Sequence, residues 1–235
     1  MIEYIGKCLL LEEDSEKILV AGDLHLGYEE SLNRAGVLVS RNLFKEMIEY
    51  FERVFSKIGN VDQVILLGDV KHNFGSILWQ EWDEIPRLLD YLSEKCRKII
   101  LIKGNHDVIF QPIVKGREVL FLDFYIFKDF CFLHGDKDFP EIHDSKIKYW
   151  IVGHGHPAVK LRAGVKIEKY KCYLVGKFKR KKIIILPSFF EGSEGSDPRE
   201  NDLGFAWKFN LLNFEVKIVG EKLEILDFGK LGKLE

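Results

Sequence analysis

The stretch that most constrains the fold is Val64-Ile65-Leu66-Leu67-Gly68-Asp69-Val70-Lys71-His72, where an aliphatic run stops at Gly-Asp and a histidine follows three positions later. The run 64–67 has the length and β-branched character of a strand buried on both faces, and Gly68 lets the backbone leave the sheet without steric penalty. A carboxylate then stands at the strand's carboxyl end, where open α/β sheets place their ligands. Taken alone, Asp69 could equally cap a following helix. The pattern recurs, however: residues 17–21 run into Gly22-Asp23-Leu24-His25, and residues 98–102 into Lys103-Gly104-Asn105-His106-Asp107.

The connections show what kind of sheet these strands enter. Residues 8–12 and 17–21 read as two strands joined by the polar turn 13–16. Ser40 is a good helix N-cap, and Leu43, Met47, Tyr50, Phe51, Val54, Phe55 and Ile58 follow at helical spacing until Gly59 closes the helix. Ile77, Leu78, Trp82, Ile85, Leu88, Leu89 and Leu92 describe a second amphipathic helix, which Pro86 should kink or restart. Beyond Pro112 the pattern changes to short strands at 119–122, 124–127, 130–134, 149–152, 170–175, 182–186, 205–209, 216–219 and 223–228. The expected fold class is α/β (α+β), with two packed β-sheets flanked by helices and the second half supplying the partner sheet.

A chain of 235 residues with 46% hydrophobic content can fill one substantial core, and residues 1–235 read as one domain. The 35 basic and 37 acidic residues give a formal charge of −2, so any contact with nucleic acid must be local. The amino terminus lacks a charged segment followed by a long apolar one, and no apolar run approaches the roughly 18 residues that span a bilayer. The expectation is a cytoplasmic protein without membrane contact. Cys8, Cys96, Cys131 and Cys172 form no Cys-x-x-Cys pair and read as reduced core residues.

Two polar segments stand out. The acidic, turn-forming stretch 191–202 reads as a surface loop or as a mobile flap over a site. The run 177–182, Lys-Phe-Lys-Arg-Lys-Lys, places five positive charges at an expected hairpin turn, either a solvated turn or a phosphate-backbone contact surface.

Six of the seven histidines, His25, His72, His106, His134, His154 and His156, fall in Gly-flanked or acid-flanked turns directly after predicted strands; only His143 does not. Core histidines are usually scattered singly. This pattern predicts imidazoles converging with Asp23, Asp69 and Asn105, a thiol-free donor set that suits Mn, Fe, Zn, Co or Ni rather than Ca. Asp23, His25, Asp69, Asn105, His134, His154 and His156 are too many ligands for one ion with an open position. A shared carboxylate lets them serve two ions, the arrangement of two-metal catalysis. Gly153 and Gly155 are expected to supply the turns that aim His154 and His156 at different ions.

The ordered set Asp-x-His, Gly-Asp-x-x-His, Gly-Asn-His-Asp, a lone His before Gly, and Gly-His-x-His resembles the calcineurin-like metallophosphoesterases from Asp23 to His156. The resemblance implies a four-layer α/β/β/α sandwich and two divalent ions, with manganese first among the candidates. It assigns Asp23, His25, Asp69 and His156 to one ion and Asp69, Asn105, His134 and His154 to the other, Asp69 bridging. His106 would be catalytic, oriented by Asp107, and would protonate the departing oxygen while a metal-bridging hydroxide attacks phosphorus. His72 would touch phosphate or help assemble the second site.

Within the family the Gly-Asp-Val-Lys-His segment is most similar to the compact ICC-like group that includes DNA ligase-associated phosphoesterases. Serine/threonine protein phosphatases carry an Asp-Arg pair after the corresponding Gly-Asp; Lys71, His72 and Asp107 here are as in the diesterase and nuclease branches. The implied substrate is a phosphodiester, with DNA or RNA as candidates, DNA-repair proteins as candidate partners and a homo-oligomer as an open option. Phosphomonoesterase, cyclic-nucleotide phosphodiesterase and a non-catalytic metal-binding scaffold are the rival readings.

Overall fold

The computed structural model describes residues 1–234. The first sheet has six strands in chain order: β1 (Ile2–Ile5), β2 (Cys8–Glu13), β3 (Glu16–Ala21), β4 (Val61–Leu66), β5 (Cys96–Ile102) and β6 (Val119–Leu122). The β1-β2-β3 meander is antiparallel and β3 to β6 are parallel. The second sheet contains β7 (Phe124–Phe127), β8 (Phe130–Leu133), β9 (Tyr149–Val152), β10 (Ala158–Ala163), β11 (Lys166–Phe178), β12 (Lys181–Ile185), β13 (Glu215–Val219) and β14 (Ile225–Lys230). Its order is β14-β13-β11-β12-β9-β8-β7, with β10 paired to β11; only β12-β9 and β9-β8 are parallel. Two mixed sheets flanked by helices are therefore present, as the sequence pattern implies. The boundary differs by one strand, because β6 closes the first sheet rather than opening the second.

Strand alternation explains how the sheets meet. Along β3, β4 and β5, Leu19, Ala21, Val64, Leu66, Ile99 and Leu101 face one way and pack against α2 (Leu43–Ile58) and α3 (Trp79–Ser93). The alternate set, Ile18, Val20, Ile65, Leu67, Ile100 and Ile102, packs against Phe132, Ile151, Tyr173 and Ile184 of the second sheet. The outer face of the second sheet is covered by short 3₁₀ turns and loops, through Ile142, Leu203, Trp207 and Phe214. The expected strand at 205–209 belongs to this cover and is not a strand. Its alternating Phe205, Trp207 and Phe209 do face the core, but the backbone makes no ladder; Ala206 N–H donates to Gly135 O (3.0 Å).

Two helix expectations also change. Asn42, not Ser40, precedes α2, and the cap comes from a distant residue: the buried Glu29 carboxylate accepts from Asn42 N–H (2.6 Å) and Leu43 N–H (3.0 Å). Glu29 lies in α1 (Tyr28–Arg34), a helix without a clear sequence signature. Pro86 sits inside α3, so of the two expected outcomes the restart does not occur. Gly59 ends α2 with φ 73°, as expected.

Glu29, Glu30, Glu81 and Glu84 are all buried near the α1–α3 contact. Burial, reinforced by the Glu29 charge, pushes Glu84 up to about 7 from an ordinary 4.5. Folding thus takes up a proton across this window, so the side chain opposes folding above about pH 7 and not below 4.5. Glu84→Gln is expected to raise Tm at pH 8 and leave it nearly unchanged at pH 5. Equal shifts at both pH values, by calorimetry, would contradict this account.

Among the described residues no helix is long and apolar enough to cross a membrane. All four cysteines are free, with Cys8, Cys131 and Cys172 buried. The basic run 177–182 turns from β11 into the amino end of β12. Because β12 runs parallel to β9, this turn lies about five residues, roughly 17 Å, from the strand ends that carry the histidines.

Candidate metal centre

The carboxyl ends of β3, β4 and β5 in one sheet and of β8 and β9 in the other point at the same space. Asp23 and His25 leave β3; Asp69 and His72 leave β4; Asn105, His106 and Asp107 leave β5; His134 leaves β8; His154 and His156 leave β9. The first two turns are zipped together by Asp23 N–H to Gly68 O (3.1 Å), and by Leu24 N–H (3.0 Å) and His25 N–H (2.9 Å) to Asp69 O.

Five of these residues hold left-handed backbone conformations: Asp23 (φ 57°), His25 (51°), Asp69 (49°), His154 (65°) and His156 (43°). Such strain survives only where the surrounding structure over-determines it, and it concentrates at functional sites. The expectation for Gly153 and Gly155 needs correcting here, because the turns fall on the histidines themselves. The two glycines are needed for space: a Cβ on Gly155 would lie 2.4 Å from the Phe205 ring, and one on Gly153 3.1 Å from Leu67 O.

The donors form two groups that share Asp69. Donor atoms of Asp23, His25, Asp69 and His156 lie within 4.8 Å of one another, and so do those of Asp69, His134 and His154. Asn105 Oδ1 joins the second group, 3.0 Å from His134 Nε2. Asp69 Oδ2 is central, 3.4 Å from His134 Nε2 and 3.9 Å from His25 Nε2. His25, His72 and His106 form a third close group.

Hydrogen bonding shows that this space suits a cation. His134 Nδ1 donates to Leu67 O (2.7 Å) and His154 Nε2 to Gly204 O (3.1 Å). Each ring then turns its other nitrogen toward the shared space, where the two nitrogens face each other at 3.0 Å. His25 Nε2 and His156 Nε2 likewise meet at 3.2 Å, with Asp23 Oδ1 3.6 Å from the latter. Lone pairs so placed repel unless positive charge lies between them. Titration follows the same logic: burial opposes a charge on His134, yet its hydrogen bond to Asp69 and the charges of Asp69 and Asp23 lift it to about 9. Burial instead lowers His25 to about 3, keeping that imidazole in the neutral form that binds metal. The residues present therefore fit divalent ions, and the carbonyls of Leu67 and Gly204 set the tautomers that would face them.

His106 and Asp107 divide their work differently from the expectation. No hydrogen bond joins them. The buried Asp107 carboxylate accepts from Val70 N–H (3.1 Å), Lys71 N–H (3.2 Å) and Gly104 N–H (3.0 Å), tying the β4 and β5 turns together. His106 is oriented instead by its Nδ1 donating to the carbonyl of His72. Its Nε2 is left free, 3.8 Å from Asp69 Oδ2. His72 places Nδ1 3.4 Å from His25 Nδ1.

Several supports carry no motif. The stretch 191–202 is not a free flap: Asp197 is buried, pairs with Arg199 (2.7 Å) and accepts from Lys160 N–H (2.8 Å). It anchors Ser196, whose N–H donates to His156 O (2.8 Å), while Gly204 just beyond orients His154. On the other side, Ser188 Oγ and Phe190 N–H both donate to Asp23 O, each at 3.0 Å. The buried Lys7 and the largely buried Lys171 hold this segment through the carbonyls of Phe189 and Ser188, each at 3.1 Å. An Asp-Pro-Arg turn and isolated lysines are too common in sequence to announce such roles.

Gly104 offers a sharp test of the packing. A Cβ there would lie 2.2 Å from Asp69 Oδ1 and 2.3 Å from Asp69 N, and neither atom can move without displacing the shared carboxylate. Gly104→Ala is expected to fold less stably by about 1–3 kcal/mol and to bind metal at least tenfold more weakly. Wild-type metal affinity by calorimetric titration would sink that prediction.

Comparison with known proteins agrees with this geometry. No protein of curated function matches the sequence. Among solved structures, a nuclease MPE from Pseudomonas putida matches 94% of this chain and 100% of its own, with TM-score 0.63 and 14% identity. Vacuolar Protein Sorting 29 from Cryptosporidium parvum (TM-score 0.41, 14% identity, 91% and 97% covered) and a predicted phosphoesterase from Streptococcus pneumoniae (0.35, 13%, 92% and 98%) align more loosely. At 14% identity the likeness to the Pseudomonas putida protein is one of fold alone. The calcineurin-like phosphoesterase sequence model, by contrast, matches residues 16–189, from β3 through Asp23 and both histidine pairs to the segment that covers Asp23. The chain belongs to the calcineurin-like phosphoesterases.

Proposed function

We propose that the chain hydrolyses phosphodiester bonds at a centre for two divalent cations that share Asp69. Membership of its family makes it a metal-dependent phosphoesterase; the number of ions and the class of ester are the added reading. The observation that carries it is the position of Asp69 in both donor groups. Asp23, His25, Asp69 and His156 would hold one ion, and Asp69, Asn105, His134 and His154 the other. Manganese is the first choice, with iron, zinc, cobalt and nickel as alternatives for a donor set of nitrogen and oxygen. Bound there, the pair supplies Lewis-acid activation of water and of phosphate oxygens.

The other duties fall to side chains. His106, its Nδ1 committed to the His72 carbonyl, presents Nε2 to the departing oxygen as general acid. Asp107 positions the Asp69 and Asn105 turns and does not itself meet substrate. His72 steadies His25 through the Nδ1 contact, which leaves its other ring nitrogen for phosphate.

Charge favours a diester. Two divalent ions less two carboxylates leave about +2, and a bound hydroxide would reduce this to about +1, a match for a monoanion. Among the described residues no Lys or Arg pairs with Asp23 or Asp69 to help hold a dianion. The Pseudomonas putida neighbour is a nuclease, which makes nucleic acid the first macromolecule to try.

The test is turnover by manganese-loaded protein of bis(p-nitrophenyl) phosphate against p-nitrophenyl phosphate. A higher kcat/KM for the diester is expected; preference for the monoester would overturn the reading. Single-stranded DNA, duplex DNA, RNA and 2′,3′- and 3′,5′-cyclic nucleotides then identify the substrate.

A further inference from the structure

One largely exposed aromatic side chain stands beside the centre. Phe74 is 56% exposed, and its ring lies against that of His106 with centroids 3.6 Å apart and planes inclined by 32°. The loop that carries it is tightly held: the fully buried Glu81 carboxylate accepts from His72 N–H (3.1 Å), Asn73 N–H (2.8 Å) and Leu78 N–H (2.7 Å). Asn73 Nδ2 further bonds Ser76 O (2.6 Å), and the buried Lys71 ammonium takes the Asn73 carbonyl. A phenyl ring on a pinned loop is thus kept in water beside the catalytic histidine. On the turn after His106, Val108 (74%) and Ile109 (45%) are exposed as well.

From this we infer that Phe74 is the stacking platform for a nucleobase on the leaving side of the scissile phosphodiester. The inference rests on the proposed diesterase reading and on His106 serving the departing oxygen. Because the Phe74 ring lies against that of His106, whatever packs on it belongs to the group that His106 protonates. A flat aromatic face selects a flat partner, and every base offers one irrespective of its hydrogen-bonding edge. A ring already immobilised by its loop loses little entropy on binding. The site would accordingly take nucleotide esters with little preference among bases.

The experiment uses thymidylyl-thymidine and its two analogues in which one or the other base is deleted, with manganese-loaded protein; the nucleoside released identifies the leaving side. Wild-type kcat/KM should fall roughly 5- to 150-fold when the leaving-side base is absent, and much less when the other base is. Phe74→Ala should lower the intact dinucleotide to the level of that analogue, so that the two differ less than about twofold, and Phe74→Trp should restore the difference. Wild-type indifference to the leaving-side base overturns the inference. So does an equal loss on both substrates in Phe74→Ala, which would make Phe74 only a prop for His106. Turnover of bis(p-nitrophenyl) phosphate by the same wild-type preparation separates the cases, since its absence would refute the diesterase reading itself.

Discussion

Asp69→Asn is expected to abolish stable occupancy of at least one metal position and to cut phosphodiester turnover by roughly 10³-fold or more, given the several kcal/mol that a metal ion contributes to charge stabilisation. The substitution is nearly isosteric. Asparagine tolerates the left-handed backbone (φ 49°), and its Oδ1 can still accept the His106 N–H bond of 3.0 Å. What disappears is the charge on the atom that both donor groups share. Burial opposes that charge, yet the His134 hydrogen bond and the neighbouring imidazoles hold the Asp69 carboxyl well below the usual carboxylate range. Removing it also takes away the main support for the raised pKa of His134. Elemental analysis after desalting is the direct measurement. Thermal denaturation is the second: added manganese should stabilise the wild type by mass action and the variant far less. Full occupancy of two ions in Asp69→Asn would end the shared-carboxylate reading.

The second large effect is expected for His106→Ala: metal content retained, and turnover of a diester with an alkoxide leaving group reduced about 10²- to 10⁴-fold. The donor groups that share Asp69 do not include His106, so occupancy should survive. The leaving group supplies the control. p-Nitrophenolate departs without a proton, so the same variant should lose far less on the p-nitrophenyl diester. A loss equal for both leaving groups would show that His106 merely supports the site. Unchanged turnover of the alkyl diester would remove it from catalysis altogether.

Asp107 and residues 191–202 show how differently neighbouring features read in sequence. Asp107 follows His106 directly, which suggests a carboxylate-histidine pair, yet consecutive side chains on a turn diverge and its oxygens are taken by backbone N–H groups of two turns. The acidic stretch looks solvated from composition, but one of its aspartates is buried against Arg199 and anchors the loop beside His156. The alternation at 205–209 reports the inward turn of every second residue correctly and pairing wrongly, because side-chain period 2 does not require a hydrogen-bonded neighbour. Glu29 likewise caps α2 from another helix, where no local signal can reveal it.

The local sequence by itself determines the strand, Gly and polar-residue endings of β3, β4 and β5, the two amphipathic helices and the set of side chains able to bind metal. Aliphatic periodicity and glycine act within a few residues, so they are legible in one dimension. Tertiary structure alone decides which nitrogens of His134 and His154 face the shared space, because the tautomers are set by carbonyls of Leu67 and Gly204 far away in the chain. It also decides that His106 is held by the carbonyl of His72 and faces Phe74, since those contacts exist only once parallel strands bring two turns side by side.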